Sequence, residues 1–563
     1  MNTRFSARVQ SLAGAAILIS VVTLLSRLLG FARSIAQATW VGTGGVAEPY
    51  AIANQLPNVL FEVAAGGALA GAVIPLLAGA LSRDSKVDLS RISSALLTWT
   101  LAVLVPIALV VFLFASPIVS AMAHMRTEEL HTTAVFFLRV FALQIPLYGV
   151  GILFGGILQA HKRFLWPALA PLFSSLTVIV TYFVFGLLAD GNQSDVSQLT
   201  VQALQVLAWG TTAGVAAMAL TMVGPVRSLG LKFRLSFRFP HGQGTRARAL
   251  AFAGVGALVA QQFTMLVVMR MASHYGQPET FNLFQYSQAV YVLPYAVLVV
   301  PIATSAFPRI AEFASRKMHA DFARMVSSTT RTIIALAALS SAILIAAAEP
   351  LEAFFATFTR GSVDFMAETI ASAAPGLVGY ALILQLSRVL YSVDRGRAAV
   401  GFTAAGWFVA ALFSVILPIV VGRPQWTVAL LGAAQAIGMS VAGIGLLYAV
   451  RSCCGPQPVA GVLRTSLTTI SAAGLAGAAG YLVAYAVLPA GASLLVSIAV
   501  GVLAACVAII VFATLTYVLD RATVRSALAS LRRRGNSAKA NEVPSPEPQP
   551  TQPPASSHTP QGH

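Results

Sequence analysis

Charge is what this chain has least of. Asp, Glu, Lys and Arg together make up 10 % of its 563 residues, against about 25 % in a soluble domain. Hydrophobic residues make up 57 % and the mean hydropathy is +0.79, so a soluble globular fold is excluded. Acidic residues are rarest, 19 against 36 Lys and Arg, for a net charge of +17. A surplus of that size can mark a nucleic-acid partner, but here the basic residues fall in connectors on one side of the apolar segments, as the positive-inside rule requires. No nucleic acid is expected. Cysteine is nearly missing: Cys453, Cys454 and Cys506 form no CxxC pair and no Cys/His cluster, so neither a disulfide framework nor a metal site is indicated and no cofactor is expected. The chain also lacks a G-x-x-x-x-G-K-[ST] loop, an H-E-x-x-H pair and a G-x-S-x-G elbow, so it reads as something other than an enzyme. His124 and His131, near Glu128 and Glu129, read as a solvated loop. A cleavable signal is not expected, because the first apolar region is long and contains Arg27.

What is present is a succession of long apolar runs. At about 20 residues per crossing, hydropathy predicts an all-α polytopic membrane protein of about 14 transmembrane helices. The spans fall near 12–36, 50–80, 93–121, 132–159, 166–189 and 200–224. Six more follow near 250–273, 281–307, 328–348, 367–392, 399–421 and 427–450, and a last pair near 465–488 and 491–518. Connectors after even-numbered spans carry Arg83, Lys86, Arg91, Lys162, Arg163, Arg227, Lys232, Arg234, Arg238 and Arg246. The series continues through Arg309, Arg316, Lys317, Arg395, Arg397 and Arg451. Odd-numbered connectors hold only Arg126, Arg360 and Arg423. The expected location is therefore a cytoplasmic membrane, crossed many times, with both termini in the cytoplasm.

An internal repeat organises the spans. Pro75-Leu-Leu-Ala-Gly-Ala-Leu-Ser-Arg83 and Pro308-Arg-Ile-Ala-Glu-Phe-Ala-Ser-Arg316 share P-x-x-A-x-x-x-S-R, and an L-P pair precedes each (Leu56-Pro57, Leu293-Pro294). Their separation covers six spans, an even number, which predicts two parallel repeats about an axis along the membrane normal. The expected divisions are a six-helix lobe over 1–226, a basic connector over 227–249, a second six-helix lobe over 250–451, two extra helices over 452–531, and a disordered tail over 532–563. Arg532-Arg-Arg534 opens that tail and is suited to anionic membrane lipids.

The candidate site starts in the first span, where Ser26, Arg27 and Arg33 interrupt the apolar run. A guanidinium cannot be neutralised, and near mid-membrane it costs about 3 kcal/mol or more, so it normally faces a wet cavity or a fixed partner. Six residues apart on a helix, Arg27 and Arg33 point in directions roughly 120° apart and are separated by about 9 Å along the axis. The second span carries Asn54, Pro57, Asn58 and Glu62 ahead of Ala64-Ala-Gly-Gly-Ala68. Such small residues serve close helix packing, while a membrane carboxylate such as Glu62 favours a cavity.

These residues resemble the MurJ (MviN) family of lipid II flippases, within the multidrug/oligosaccharidyl-lipid/polysaccharide exporter superfamily. The resemblance rests on Ser26-Arg-Leu-Leu-Gly-Phe-Ala-Arg33, on Asn54-Gln-Leu-Pro-Asn58 with the run to Pro75, and on Gly156-Ile-Leu-Gln-Ala-His-Lys-Arg-Phe-Leu-Trp-Pro-Ala-Leu-Ala-Pro171. It implies two six-helix lobes around a central cationic cavity, with two C-terminal helices making a groove for a long lipid tail. The implied activity is translocation of undecaprenyl-pyrophosphoryl disaccharide-pentapeptide from the inner to the outer leaflet for peptidoglycan synthesis, by alternating access. Lipid II and membrane lipids are the implied partners, with peptidoglycan synthases beside them. Arg27 and Arg33, with Ser26 beside them, carry over as pyrophosphate-cavity residues, Asn58 as a cavity-lining group, and Glu48 as an acidic gate residue. Two family arginines are missing, at Phe61 and near Ala289. Arg270 is the expected replacement, with an interfacial snorkelling role as its alternative; Arg139 and Arg388 rank behind it. Spans seven and eleven contain no Asp or Glu, which disfavours the acidic sodium site of some relatives. The competing functions are a lipid II-binding scaffold of the wall-synthesis machinery that does not transport, another polyprenyl-glycan flippase, and a drug exporter.

Overall fold

The structure, a computed structural model, describes residues 12–64, 85–239 and 255–519, with Val73, Leu76, Leu77, Ala80 and Leu81. The rest of the Pro75–Arg83 arm of the repeat, the small-residue run after Ala64, the connector over 240–254 and the C-terminal tail lie outside the described residues.

Every regular element among the described residues is helical. The first are α1 (Leu12–Trp40) and α2 (Ala47–Val63). Next come α3 (Lys86–Leu113), α4 (Ala115–Met122), α5 (Glu128–Phe141), α6 (Gln144–Ala160), α7 (Leu165–Ala189) and α8 (Val201–Arg227). The second series is α9 (Val255–Tyr275), α10 (Thr280–Pro294), α11 (Val300–Ser315), α12 (His319–Ala346), α13 (Ala348–Ala356), α14 (Met366–Ala373) and α15 (Gly376–Ser392). It ends with α16 (Gly396–Val421), α17 (Thr427–Cys454), α18 (Val462–Val487) and α19 (Leu494–Leu519). Helix stands at each of the fourteen expected places. Ten described helical stretches are long and apolar enough to cross a membrane, and an eleventh if α14 and α15, bent by 46°, form one span. The expected fourteen crossings are therefore not established by length and composition.

Local sequence explains where the helices start. Ser85, Thr127 and Thr200 sit just before α3, α5 and α8, and each side chain accepts from the backbone N–H three residues on, at Asp88, Leu130 and Ala203. These bonds satisfy amides that the first helical turn leaves without a partner. The interruptions follow the repeat. Phe114 divides α3 from α4, and Ala347, 233 positions later, divides α12 from α13; both leave helical geometry in the same direction, with φ −100° and −93°. Pro308 stands the same 233 positions after Pro75. Leu143 and Pro375, 232 positions apart, end the breaks before α6 and α15. Pro294 ends α10 in a π turn over Tyr295–Val299, because proline removes a helix donor.

Apolar packing gathers α2, α5, α7 and α8 into one buried cluster around Tyr50, Phe137, Phe141 and Phe185. A second cluster joins α9 to α15 around Tyr286, Tyr291 and Phe355, and takes in Ala38, Ala51 and Ile52 from the first half. α18 and α19 lie on α12 through small residues, with Ala338 and Ala342 against Ala472, Ala473 and Ala476. A Cβ at Gly480 would stand 2.4 Å from the Ala346 Cβ, so only glycine permits that crossing.

Candidate functional site

α1 supplies the two cations that define the site. Its C-terminal end is buried: Ala38 and Val41 have no exposure. Its middle is open, with Leu25, Arg27, Leu28 and Arg33 exposed. Ser26 Oγ lies 2.9 Å from the Val22 carbonyl and 3.2 Å from that of Ala168, which fastens this stretch to α7. The two guanidiniums face different halves. Arg33 is close enough for its charge to act on the Tyr50, Tyr148 and Tyr182 hydroxyls of the first half. Arg27 acts on Tyr295 and Tyr380 of the second. Among the described residues neither has an ion-pair partner. Two exposed, unpaired cations pointing at two helical halves require a wet space between those halves.

Other polar groups converge on it. Glu62 is exposed and acts on both Tyr148 and Tyr380, so its carboxylate also lies between the halves. Asn58 accepts a 3.1 Å bond from the Tyr148 hydroxyl. Phe61, where the family pattern has arginine, packs its ring 4.5 Å from that of Tyr148; an aromatic pair occupies the place of the lost charge. Arg388 on α15 reaches Thr304 Oγ1 at 3.2 Å, lies 5.9 Å from the Phe307 ring centroid, and acts on Tyr295, the tyrosine that Arg27 also faces. Tyr380, Leu384 and Arg388 recur every four residues, one stripe of α15. Arg388 therefore brings a second-half cation to the same space as Arg27.

Arg270 is elsewhere. Its Nη1 lies 3.4 Å from the Ser120 carbonyl, near the C-terminal end of α4, a contact of the kind the snorkelling alternative describes. Five residues before the end of α9, its long stem carries the charge to the helix ends. Arg139 lies 6.0 Å from the exposed Phe112 ring, away from these groups.

At the ends that carry Gly42 and Arg360 the halves are latched. The Thr43 amide donates to the Arg360 carbonyl (3.0 Å), the Arg360 amide to the Ala38 carbonyl (3.2 Å), and the Thr43 hydroxyl to the Ser362 carbonyl (2.9 Å). Asn282 Nδ2 donates to the Thr43 carbonyl and the Tyr286 hydroxyl to that of Gly42, both at 2.8 Å. Arg126 Nη2 donates to the Gly276 carbonyl at 2.6 Å. Gly42 has φ +97°, and a Cβ there would lie 2.6 Å from the Arg360 carbonyl oxygen, so this crossing requires glycine. Glu48, 2 % exposed, stands inside the latch with Arg126 and Glu279 as its charged neighbours and no hydrogen-bond partner for Oε2 among the described residues.

Joined at one end and carrying exposed cations toward the middle of α1, this arrangement can accept an anionic group between the halves. Comparison with known proteins agrees. A family model described as lipid II flippase MurJ matches residues 37–501, most of the chain. The chain belongs to the MurJ family. It is 25 % identical to the lipid II flippase MurJ of Burkholderia cenocepacia over 81 % of this chain and 87 % of that protein. It is 26 % identical to a probable lipid II flippase MurJ of Synechocystis over 72 % and 75 %. The fold resembles a solved lipid II flippase MurJ in an inward closed conformation, with TM-score 0.69, 19 % identity and coverage of 89 % of this chain and 99 % of that one. It also resembles an inward-facing multidrug resistance MATE transporter of the MOP superfamily, with TM-score 0.64, 14 % identity and coverage of 78 % and 98 %.

The tyrosines were the signal missed in the sequence of this MurJ family member. Tyr148, Tyr295 and Tyr380 surround the charges, and the eight-residue interval from Tyr380 to Arg388 already places both on one helix face.

Proposed function

We propose that this protein is a lipid II flippase, carrying undecaprenyl-pyrophosphoryl disaccharide-pentapeptide from the inner to the outer leaflet of a bacterial cytoplasmic membrane by alternating access. The observation that carries the reading is that Arg27 and Arg33, exposed and without an ion-pair partner among the described residues, act on tyrosines of different halves that are latched to each other at one end. A pyrophosphate is wide and doubly charged, and guanidiniums bind it through paired, charge-assisted bonds. The tail stays in lipid while the headgroup enters from the cytoplasmic side. Binding across both halves draws them together at the inner end, which strains the outer latch and lets it open.

Roles follow for the individual residues. Arg27, Arg33 and Arg388 hold the pyrophosphate; Asn58 and Tyr148 bond the sugar; Ser26 fixes the arginine-bearing turn; Glu48 belongs to the outer gate; and Glu62 helps expel the anion once the halves move. Arg270 belongs to the latch. The recurrence of helix breaks at one interval supports two parallel six-helix lobes, with α18 and α19 as the added pair. Both termini are assigned to the cytoplasm by the basic connectors, and peptidoglycan synthases are assigned as the consumers of the delivered substrate. A cavity lined by arginine argues against a cation exporter, and the latch argues against a static scaffold. The test is lipid II binding by the purified protein: substitution of Arg27 with Ala should weaken it by about tenfold or more, and unchanged affinity in Arg27→Ala and Arg33→Ala would overturn the site.

A further inference from the structure

The connector after α8 does not leave the membrane surface at once. Residues 231–239, Leu-Lys-Phe-Arg-Leu-Ser-Phe-Arg-Phe, alternate apolar and polar without a break. They run extended along the first half of α3, held by its side chains rather than by another strand. Ser90 Oγ accepts from the Lys232 amide (3.2 Å), Ser94 Oγ from the Arg234 amide (3.0 Å) and Thr98 Oγ1 from the Ser236 amide (3.0 Å). Trp99 Nε1 then donates to the Phe237 carbonyl at 3.0 Å. The match is geometric: two residues of extended chain advance about 6.6 Å and four residues of helix about 6 Å, so a hydroxyl every fourth residue meets every second amide.

This register sorts the side chains. Lys232, Arg234 and Arg238 are exposed on the polar positions, while Leu235 is 87 % and Phe237 52 % exposed on the apolar ones. Between strap and helix lies a groove of about 520 Å³, walled by Leu101, Val105 and Pro106 of α3 with Phe233 and Phe237 of the strap. Its polar contributors are Thr98 and Arg234, at the end nearer the start of α3. Further along the same helix Leu109, Val110 and Leu113 are more than half exposed, as expected of a face turned to hydrocarbon.

We propose that the groove is a binding site for an anionic glycerophospholipid of the adjoining leaflet, with one acyl chain against Leu101, Val105 and Pro106 and the headgroup phosphate held by Arg234, which lines the groove, in the positive field of Lys232 and Arg238 on either side. The depth order of the walls fits one such molecule, because the cations stand at the surface end and the apolar walls extend inward. Clustered Lys and Arg at this level favour anionic over zwitterionic lipid. The site is separate from the Arg27–Arg33 space and does not rest on the proposed transport.

Trp99 at the groove provides the probe. The full chain is placed in phosphatidylcholine vesicles containing increasing fractions of phosphatidylglycerol brominated on its acyl chains, and its emission is compared with that of Trp99→Phe to isolate Trp99. Half-maximal quenching of Trp99 is expected at a roughly fivefold lower mole fraction of brominated phosphatidylglycerol than of brominated phosphatidylcholine. The K232Q/R234Q/R238Q chain should lose the preference while its other tryptophans remain quenched by phosphatidylcholine, which shows that it is inserted. Ala102→Phe, which fills the groove and keeps the charges, should lose it too. Equal midpoints in the unsubstituted chain, or a preference that survives either set of substitutions, would overturn the proposal. So would relief of quenching by an unbrominated polyprenyl pyrophosphate, which would assign the groove to a polyprenyl tail.

Discussion

Replacing Asn282 with Ala tests the outer latch where it is most buried. Asn282 has no exposure, and its Nδ2 donates a 2.8 Å bond to the Thr43 carbonyl across the two halves. Truncation removes that bond and leaves the carbonyl with less compensation, a loss of about 1–2 kcal/mol. The asparagine's own Oδ1 has no partner among the described residues, so its removal relieves a desolvation cost and places the net effect toward the lower end of that range. The change falls on the outer-closed state, because the bond exists only while Thr43 and Asn282 are together. The ratio of outer-open to outer-closed molecules should rise about 5- to 30-fold. Spin labels at Glu129→Cys and Arg423→Cys, both exposed near the outer helix ends, with Cys453, Cys454 and Cys506 replaced, would report it as a longer-distance population in pulsed dipolar spectroscopy. Gly42→Ala should act in the same direction and more strongly, since its Cβ would stand 2.6 Å from the Arg360 carbonyl oxygen at φ +97°. The two sites adjoin, so their effects should not add simply. An unchanged distance distribution with both substitutions combined would refute the latch.

Three further outcomes follow. Arg388→Gln should weaken lipid II binding by about tenfold to a hundredfold and leave thermal stability near that of the parent, whereas Arg270→Gln should shift the outer-gate distance and spare binding. Glu352, in the short helix α13, accepts from the Ala367 amide at 2.8 Å, yet burial, with Glu368, Glu349 and Asp364 nearby, pushes its carboxyl up to about 7. Its neutral form is the one the fold favours, so thermal stability in detergent should fall as pH rises from about 4.5 to 7, and Glu352→Gln should flatten that profile. Because spans seven and eleven contain no acid, transport in proteoliposomes should persist when sodium is replaced by potassium; strict sodium dependence would refute that reading.

Much of the architecture was legible because hydrophobic runs and charge asymmetry are strong, local signals. The helix positions followed from them, although several helices start earlier than hydropathy suggested: α3 at Lys86 and α12 at His319 run past the apolar segment, since polar turns near a surface remain helical. The breaks at Phe114 and Ala347 have neither proline nor glycine at the position; their mark is the proline three residues on, Pro117 and Pro350, in the first turn of α4 and α13, which hydropathy alone passes over. Arg27 and Arg33 were legible because charge in an apolar run is costly wherever it lies. Arg270 was not, because hydropathy gives a residue's depth poorly near a span end and says nothing of which neighbour its long side chain reaches. Arg388 and Arg270 looked alike as single basic residues in apolar runs. Only the packing of α15 beside Tyr295, and of α9 beside Ser120, separates them.

The central claim is that Arg27 holds the headgroup during transport, and lipid II exposed in the outer leaflet of cells depleted of their own flippase measures it directly. Supplying this protein should restore outer-leaflet lipid II; Arg27→Ala should abolish the rescue at equal protein level, and Arg27→Lys should restore it only in part, because an ammonium lacks the paired donors of a guanidinium. Full rescue by Arg27→Ala would contradict the account.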